Sequence, residues 1–314
     1  MIACLILAYN EEKYLKENIE DIEILFDSII IVNDASTDKT FQILSEINGD
    51  KVKKIHNSKN YGAGKSMEIG VNHFLQTDLD YLVKIDGDGQ FKKDDIEKLI
   101  ALSKEDYDFI KCDRFWDKGI DGEIPIVRYI GNSLASLMIK VSTGNWKIND
   151  PLNGLFLFSR RSLENFYLPK LFNRYGYPFF INIFMNRKIL NNGIKTGQLK
   201  NTIKYRDEES KLRPSIMFFK LSFYTFASFI KKILEKFKYS SLQISGLLDI
   251  LFLSFLALGF LAGIKLLLII SGLSLGSRAS WLFLTIFLNL ISLLAFYYSQ
   301  LYEKKIYKDK YRVL

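Results

Sequence analysis

The sequence predicts an α/β protein. A mainly parallel sheet covered by helices comes first, then an amphipathic helix lying in a membrane interface, then a two-helix transmembrane hairpin. Three observations carry this reading. Residues 1–110 alternate continuous apolar runs with amphipathic stretches, the pattern of a parallel sheet buried on both faces. Residues 215–241 are dense in Phe, Tyr and Lys. Two long apolar runs, 247–272 and 281–302, follow before a basic end.

Taken in order, IACLILAY is strand-like and EEKYLKENIEDIEIL helix-like. SIIIVND, KVKKIH, YLVKID and YDFIKCDRF continue the strands, with DKTFQILSEI, GAGKSMEIGVNHFLQ and KKDDIEKLIALSKE as the helices between them. The opening MIACLILAY has no basic flank and too short an apolar run for a signal peptide, so it reads as the first strand. Ligands bind parallel sheets at the carboxyl ends of strands. That rule selects Tyr9-Asn10-Glu11, Asn33-Asp34 and Asp86–Asp88. Residues 111–213 are less regular, interrupted by Gly119, Gly122, Pro125, Gly144, Pro151 and Gly154. Such loops suit acceptor specificity or a lid.

The stretch 215–241 carries Lys220, Lys231, Lys232, Lys236 and Lys238 among its aromatics. Aromatic bulk with lysine fits a helix in a membrane interface, an ordinary amphipathic helix packed on the domain being the plainer alternative. The two apolar runs are each long enough to cross a bilayer core of ~30 Å. Asp249 and Lys265 interrupt the first, toward its ends, where a side chain can reach the headgroups. Lys231, Lys232, Lys236 and Lys238 precede the hairpin; Lys304, Lys305, Lys308, Lys310 and Arg312 follow it; the connection carries only Arg278. The positive-inside rule then puts both flanks in the cytoplasm, making a multi-pass protein of the cytoplasmic (inner) membrane. The expected domains are 1–213, 214–241, 242–302 and a basic tail, 303–314. A net charge of +8 over 314 residues favours anionic partners. Cys4 and Cys112 sit in apolar runs and read as buried free thiols.

The chemistry centres on YLVKIDGDGQF, 81–91, where an apolar run ends in Asp86-Gly87-Asp88-Gly89. A hairpin turn would need a second strand next, but KKDDIEKLI is patterned as a helix. A calcium loop opening at Asp86 would want glycine where Phe91 stands, and a helix before it. Two carboxylates at a strand end remain, with glycines that admit a bulky ligand. A hard divalent cation takes such carboxylates and completes its shell with phosphate oxygens; a structural turn is the plainer alternative. GAGKS, 62–66, resembles the end of a P-loop, but Lys59 stands where its first glycine is needed. Lys65 at a helix start still suits a phosphate. Arg114, Arg128, Arg206 and Lys211 each read alone as solvated charges, Arg114 being better placed at a strand end. Asp150, in INDPLNG, suits a turn cap.

In order and completeness, these pieces resemble family 2 glycosyltransferases with the Rossmann-like GT-A fold. The likeness is closer to the polyprenyl-phosphate glycosyltransferases, the group of dolichol-phosphate mannose synthase and bacterial undecaprenyl-phosphate sugar transferases. LILAYNEEKYL is similar to the family's first strand and nucleotide turn, and IIIVNDASTDKT to its VDDGSxDxT signature, with Asn33 and Ala35 departing. NYGAGKSMEIG resembles its glycine-lysine helix start, DGDGQF its DxD motif, YDFIKCDRF its arginine-ended strand, and DPLNGLFLFSRRSL its acceptor-side segment. YRDEESKL resembles its Arg…Ser-Lys loop, one residue short, and SQLYEKKIYKDKYRVL the ending of two-helix bacterial members.

The resemblance implies a metal-dependent, inverting transfer from a UDP- or GDP-sugar to a polyprenyl phosphate. It implies that Ala8, Tyr9, Asn10, Glu11, Asp34, Lys65, Asp86 and Gly87 hold the nucleotide. Asp88 would ligate Mg²⁺ or Mn²⁺, and Gln90 would lie beside the sugar. Arg114, Arg128, Asn132, Arg206 and Lys211 would cradle the acceptor phosphate. The Gln after the DxD motif and the two-helix tail favour UDP. A membrane partner and a homo-oligomer, such as a tetramer, are implied; nucleic acid is not expected. Transfer to a glycan hydroxyl is the alternative, and it would need a general base, for which Asp150 is the candidate. A membrane-anchored nucleotide-sugar binding subunit is the non-catalytic alternative.

Overall fold

A computed structural model describes residues 1–115, 120–121, 126–204, 214–238 and 242–314. Strands and helices alternate as β1 (Ile2–Ala8), α1 (Leu15–Ile22), β2 (Ser28–Asn33), α2 (Thr40–Glu46) and β3 (Val52–His56). Next come α3 (Ala63–Phe74), β4 (Tyr81–Asp86), α4 (Lys93–Ala101) and β5 (Phe109–Asp113). The middle of the chain forms β6 (Ile120–Asp121), α5 (Ile126–Thr143), β7 (Phe156–Ser159), α6 (Arg160–Leu163), α7 (Tyr177–Asn192), β8 (Thr196–Lys200) and β9 (Ile203–Lys204). The helices α8 (Pro214–Lys236), α9 (Gln243–Ile270) and α10 (Arg278–Lys310) follow, and β10 (Tyr311–Val313) closes the chain.

The main sheet has the order β10-β8-β5-β7-β4-β1-β2-β3. Its pairs are parallel except at β7, which runs antiparallel between β4 and β5. Ala3 to Ile6 and Ile29 to Val32 are wholly buried, which explains continuous apolar strands rather than alternating ones. Cys4, Ile6, Ile29, Ile31, Val83 and Ile85 pack on one face with Leu15 and Ile19 of α1 and Ile96 and Leu99 of α4. On the other face α3 closes on β1 at Gly70, where any Cβ would fall on the Leu5 side chain.

The described residues of 111–213 are more regular than the glycines and prolines of that stretch suggest. Helix α7 is buried almost all round, so it shows no polar face for periodicity to detect. Strand β7 has only four residues, FLFS, all buried. The basic end also differs from a plain tail. Residues 303–310 extend α10, and β10 pairs with β8 at the sheet edge in the register Tyr311↔Thr196. Three residues with one apolar side chain facing in carry too little pattern to be read as a strand.

The chain divides into two units, one of residues 1–143, 147–225 and 310–314, the other of 144–146 and 226–309. In the second, α9 has 28 residues and rises about 42 Å, enough for a bilayer core. It and Arg278–Lys305 of α10 are long and apolar enough to cross a membrane. Leu256, Phe260, Leu267, Phe283, Phe287 and Leu293 are exposed, unlike the side chains of a core hairpin. Asp249 does not reach out toward headgroups. It is wholly buried, paired with Lys236 and accepting from Ser299 Oγ at 2.5 Å. Lys236 also meets Glu303, and Lys232 lies 3.1 Å from the same carboxylate. A buried charge persists only when so partnered. Lys232 and Lys236 therefore face inward, which leaves Lys231 and Lys238 as the exposed cations of that flank. Along α8, Ile216, Phe219, Phe223, Phe226 and Leu234 form an exposed apolar stripe at helical spacing.

Candidate active site

Parallel register assembles the site. Leu7 stands opposite Asp86 and Ala8 opposite Asn33, so the three clusters beyond these strands emerge side by side. A cleft of about 470 Å³ opens there. Of the residues expected to bind the donor, Ala8, Tyr9, Glu11, Asp34, Asp86 and Asp88 line it. Leu7, Asn60, Gly62, Ala63, Ser66, Arg174 and Tyr175 complete its wall, and sequence reasoning assigned none of them a role. Arg174 and Tyr175 belong to a distant loop that no local pattern connects to the sheet edge.

Several expected binders also tie the scaffold together. The Asp34 carboxylate accepts from Asn57 Nδ2 at 2.8 Å, Tyr61 N at 2.9 Å and Gly62 N at 2.7 Å, tying down the loop before α3. Asn10, at φ 61°, accepts from Thr37 N at 2.8 Å and so joins the loop after β1 to the loop after β2. Gly87 N donates to Leu7 O at 2.9 Å, and a Cβ at Gly87 would press on that oxygen. Lys65 is outside the cleft wall and pairs with Glu68, an i,i+3 partner visible in KSME.

At the centre, Asp86 Oδ1 accepts from Lys84 Nζ at 2.5 Å. Lys84 is wholly buried, with its ammonium 5.2 Å from the Tyr177 ring centre. Burial, with the charges of Asp86 and Asp88, pushes the Tyr177 hydroxyl well above its ordinary value, so it stays protonated. A Cβ at Gly154 would collide with Asp86 Oδ2 and meet Lys84 Nζ, so a larger residue there must displace this pair. Asp88 Oδ1 accepts from Gln90 N at 3.0 Å. The main chain of Gln90 thus orients Asp88, while Gln90 itself is not part of the cleft wall.

Arg114 and Asp150 are brought together. Arg114 Nε donates to Asp150 Oδ2 at 2.9 Å, Nη2 to Oδ1 at 3.1 Å, and the Arg114 backbone N–H to Oδ2 at 3.1 Å. Asp150 is wholly buried, held at φ 43°, and also accepts from Asn153 Nδ2 at 3.2 Å. Both Asp150 oxygens thus already serve the guanidinium. Behind the pair lies Gln198, whose Oε1 accepts from Asn149 N at 2.9 Å and whose Nε2 donates to Asp113 Oδ2 at 2.9 Å. Burial lowers the Lys111 ammonium, against the pull of Asp150 and Asp113. Burial raises Asp113, against the pull of Lys111.

Arg128 and Asn132 stand one turn apart on α5, Arg128 exposed and Asn132 buried; neither lines the cleft. Arg206 and Lys211 lie outside the described residues. Among the described residues no three His, Cys, Asp or Glu side chains gather into a metal cage. The Asp86 and Asp88 carboxylates suit a hard cation that takes most of its oxygens from a bound phosphate.

The fold and this cleft define a GT-A-like enzyme scaffold. The profile of Glycosyl transferase family 2 matches residues 4–166, over half of the chain, which belongs to that family and is a glycosyltransferase. The chain is 29% identical over 180 residues to the UDP-N-acetylglucosamine–dolichyl-phosphate N-acetylglucosaminyltransferase of Methanococcus voltae, covering 52% of this chain and 71% of that protein. It is also 29% identical over 119 residues to the undecaprenyl-phosphate 4-deoxy-4-formamido-L-arabinose transferase of Proteus mirabilis, covering 35% of each. Glucosyl-3-phosphoglycerate synthase from Mycobacterium tuberculosis, solved with UDP, shares the fold. The TM-score is 0.52 at 18% identity, over 74% of this chain and 79% of that one.

Proposed function

We propose that this glycosyltransferase moves a sugar from a UDP- or GDP-sugar to a polyprenyl phosphate at a membrane face, inverting the anomeric centre. The observation that carries the reading is the pair Asp86–Asp88 in a cleft at the carboxyl edge of the sheet, with a clamped arginine, Arg114, held beside the same segment. Residues 150–154 make that connection, since Asp150 grips Arg114 and Gly154 abuts Asp86. Two relatives carrying polyprenyl-phosphate acceptors in their names support the acceptor class.

Ala8, Tyr9, Glu11 and Asp86 bind the donor nucleotide, and Asp34 holds the loop that shapes its pocket. A divalent cation, Mg²⁺ or Mn²⁺, held by Asp88 and the donor diphosphate would offset the charge of the leaving group. The acceptor phosphate is already ionised near neutral pH, so it needs positioning rather than a base. Arg114 supplies that positioning, with Arg128, Asn132, Arg206 and Lys211 as further candidates. Transfer to a glycan hydroxyl would require a base, and the closure of Asp150 around Arg114 speaks against it.

The two apolar helices anchor the enzyme as a multi-pass protein, and the α8 stripe lies in the interface. The cations that flank the hairpin support a catalytic part on the cytoplasmic side of the inner membrane, by the positive-inside rule. The catalytic part is 1–213, the interface segment 214–241 and the hairpin 242–302, and a homo-oligomer fits this anchor.

The test supplies purified protein with radiolabelled UDP- and GDP-sugars, undecaprenyl or dolichyl phosphate, and Mg²⁺ or Mn²⁺. The expected result is label in the lipid phase, lost with EDTA and reduced at least ~100-fold in Asp88→Ala. Transfer to a glycan hydroxyl with none to the lipid phosphate would overturn the reading.

A further inference from the structure

Arg174 is the one cation among the described residues lining the donor cleft, opposite four carboxylates, Glu11, Asp34, Asp86 and Asp88. No carboxylate among the described residues pairs with it. Its guanidinium is fixed instead by Asn60: Nη1 donates to Asn60 Oδ1 at 2.8 Å and Nη2 to Asn60 O at 3.3 Å. The surrounding backbone is built to hold it there. Lys65 N donates to Asn173 O at 2.9 Å. Gly62, at φ 98°, would strike Arg174 and Asn173 if it bore a Cβ, and Gly64 would strike Phe172 O. Two glycines thus let the loop 172–175 seat directly on the start of α3.

The sheet order says which end of the donor Arg174 faces. Asp86 and Asp88 leave β4, Asp34 leaves β2, and Asn57 to Asn60 leave β3, in the spatial order β4-β1-β2-β3. With the diphosphate at the β4 end, the nucleoside runs across β1 toward β2 and β3. That is two to three strand spacings, about 10–15 Å, the scale of a ribose with its base. Asn60 and Arg174 stand at the far end. A guanidinium has five N–H donors and no acceptor. With part of them held by Asn60, the rest suit a base carbonyl and oppose an exocyclic amine. Uracil and guanine present a carbonyl where cytosine and adenine present an amine.

We infer that Arg174, fixed by Asn60, reads the base of the donor nucleotide and selects a carbonyl-bearing base, uracil or guanine, over cytosine or adenine. The inference rests on the nucleotide-sugar reading above and adds to it the residue that sets donor class. Asn60 lies within residues 4–166, the stretch matched to the family, and Arg174 just beyond it.

Calorimetric titration of the full chain in detergent with Mg²⁺ tests this, using UDP, GDP, CDP, ADP and pyrophosphate as separate ligands. The wild type should bind UDP or GDP about tenfold or more tighter than CDP and ADP. Arg174→Ala should remove most of that margin and leave pyrophosphate affinity unchanged. Arg174→Lys, which keeps charge and bulk, should lose discrimination while retaining the wild-type melting temperature. Asn60→Ala should resemble Arg174→Ala in direction. Equal weakening of UDP and pyrophosphate in Arg174→Ala would overturn the inference, because the arginine would then serve the diphosphate. Unchanged UDP affinity in Arg174→Ala would overturn it as well, leaving Arg174 a loop tether. A wild type that binds no nucleoside diphosphate would defeat the donor reading itself, and this inference with it.

Discussion

Asp150 sits at the point where two chemistries part. As a base it would take a proton from an acceptor hydroxyl; as a positioning group it would hold Arg114, which it grips by both carboxylate oxygens. Asp150→Asn keeps the shape but cannot accept along both oxygens, so Arg114 loses its fixed orientation. The expected effect is a rise of about 10–100-fold in acceptor KM, with donor KM unchanged. A collapse of kcat at unchanged acceptor KM, with loss of the basic limb of the pH profile, would instead mark Asp150 as the base. Gly154 makes a second prediction at this scale. Gly154→Ala places a methyl group against Asp86 and Lys84, which are themselves ion-paired. A cost of about 1–3 kcal/mol is expected, read as a lower melting temperature together with weaker donor binding. An unchanged melt and full activity would show that this corner can yield.

The last strand decides how the edge of the sheet is finished. Tyr311 of β10 donates its hydroxyl to Gln198 Oε1 at 3.2 Å, and Lys147 Nζ donates to Tyr311 O at 2.9 Å. Gln198 in turn fixes Asn149 and Asp113, the residues that precede Asp150 and Arg114. A chain of hydrogen bonds therefore runs from Tyr311 to the residues beside Arg114, the proposed acceptor arginine. Tyr311→Phe removes one donor from a buried acceptor that keeps other partners, a loss of about 1 kcal/mol. Acceptor KM should rise a few-fold while UDP affinity stays constant. A uniform loss of both affinities would point to general unfolding of the edge rather than to positioning. This dependence was not legible beforehand, since YRV offers no strand pattern and its partner β8 lies more than a hundred residues upstream. Helix α7 was missed for the opposite reason, being apolar on every side.

For the molecule as a whole, the anchor makes the orientation testable. The native thiols provide a quiet background: Cys4 and Cys112 are wholly buried, and burial pushes both well above the ordinary thiol range, so they stay unreactive near neutral pH. A single new cysteine then reports its side of the membrane. Leu275→Cys, in the exposed connection between α9 and α10, should react with an impermeant maleimide on intact cells. Lys238→Cys should react only after permeabilisation. The reverse pattern would turn the enzyme to the outer face, and labelling of both sites on intact cells would dismiss the two-span anchor.

Strand–helix alternation, the DGDG turn at a strand end and two apolar runs at the C-terminal end are local patterns. From them the sequence by itself determined a parallel sheet, the edge at which the cleft opens and a hairpin fit for a bilayer. Each depends only on neighbours a few residues apart, within reach of periodicity and turn chemistry. Tertiary structure alone decided which polar groups remain available. It gave Asp34 to the loop before α3, Lys65 to Glu68 and Asp150 to Arg114, and it brought Arg174 to the cleft and Tyr311 to Gln198, behind Arg114. The physical reason is that a carboxylate or guanidinium has no role until its partners are set, and most of those partners arrive from distant positions in the chain.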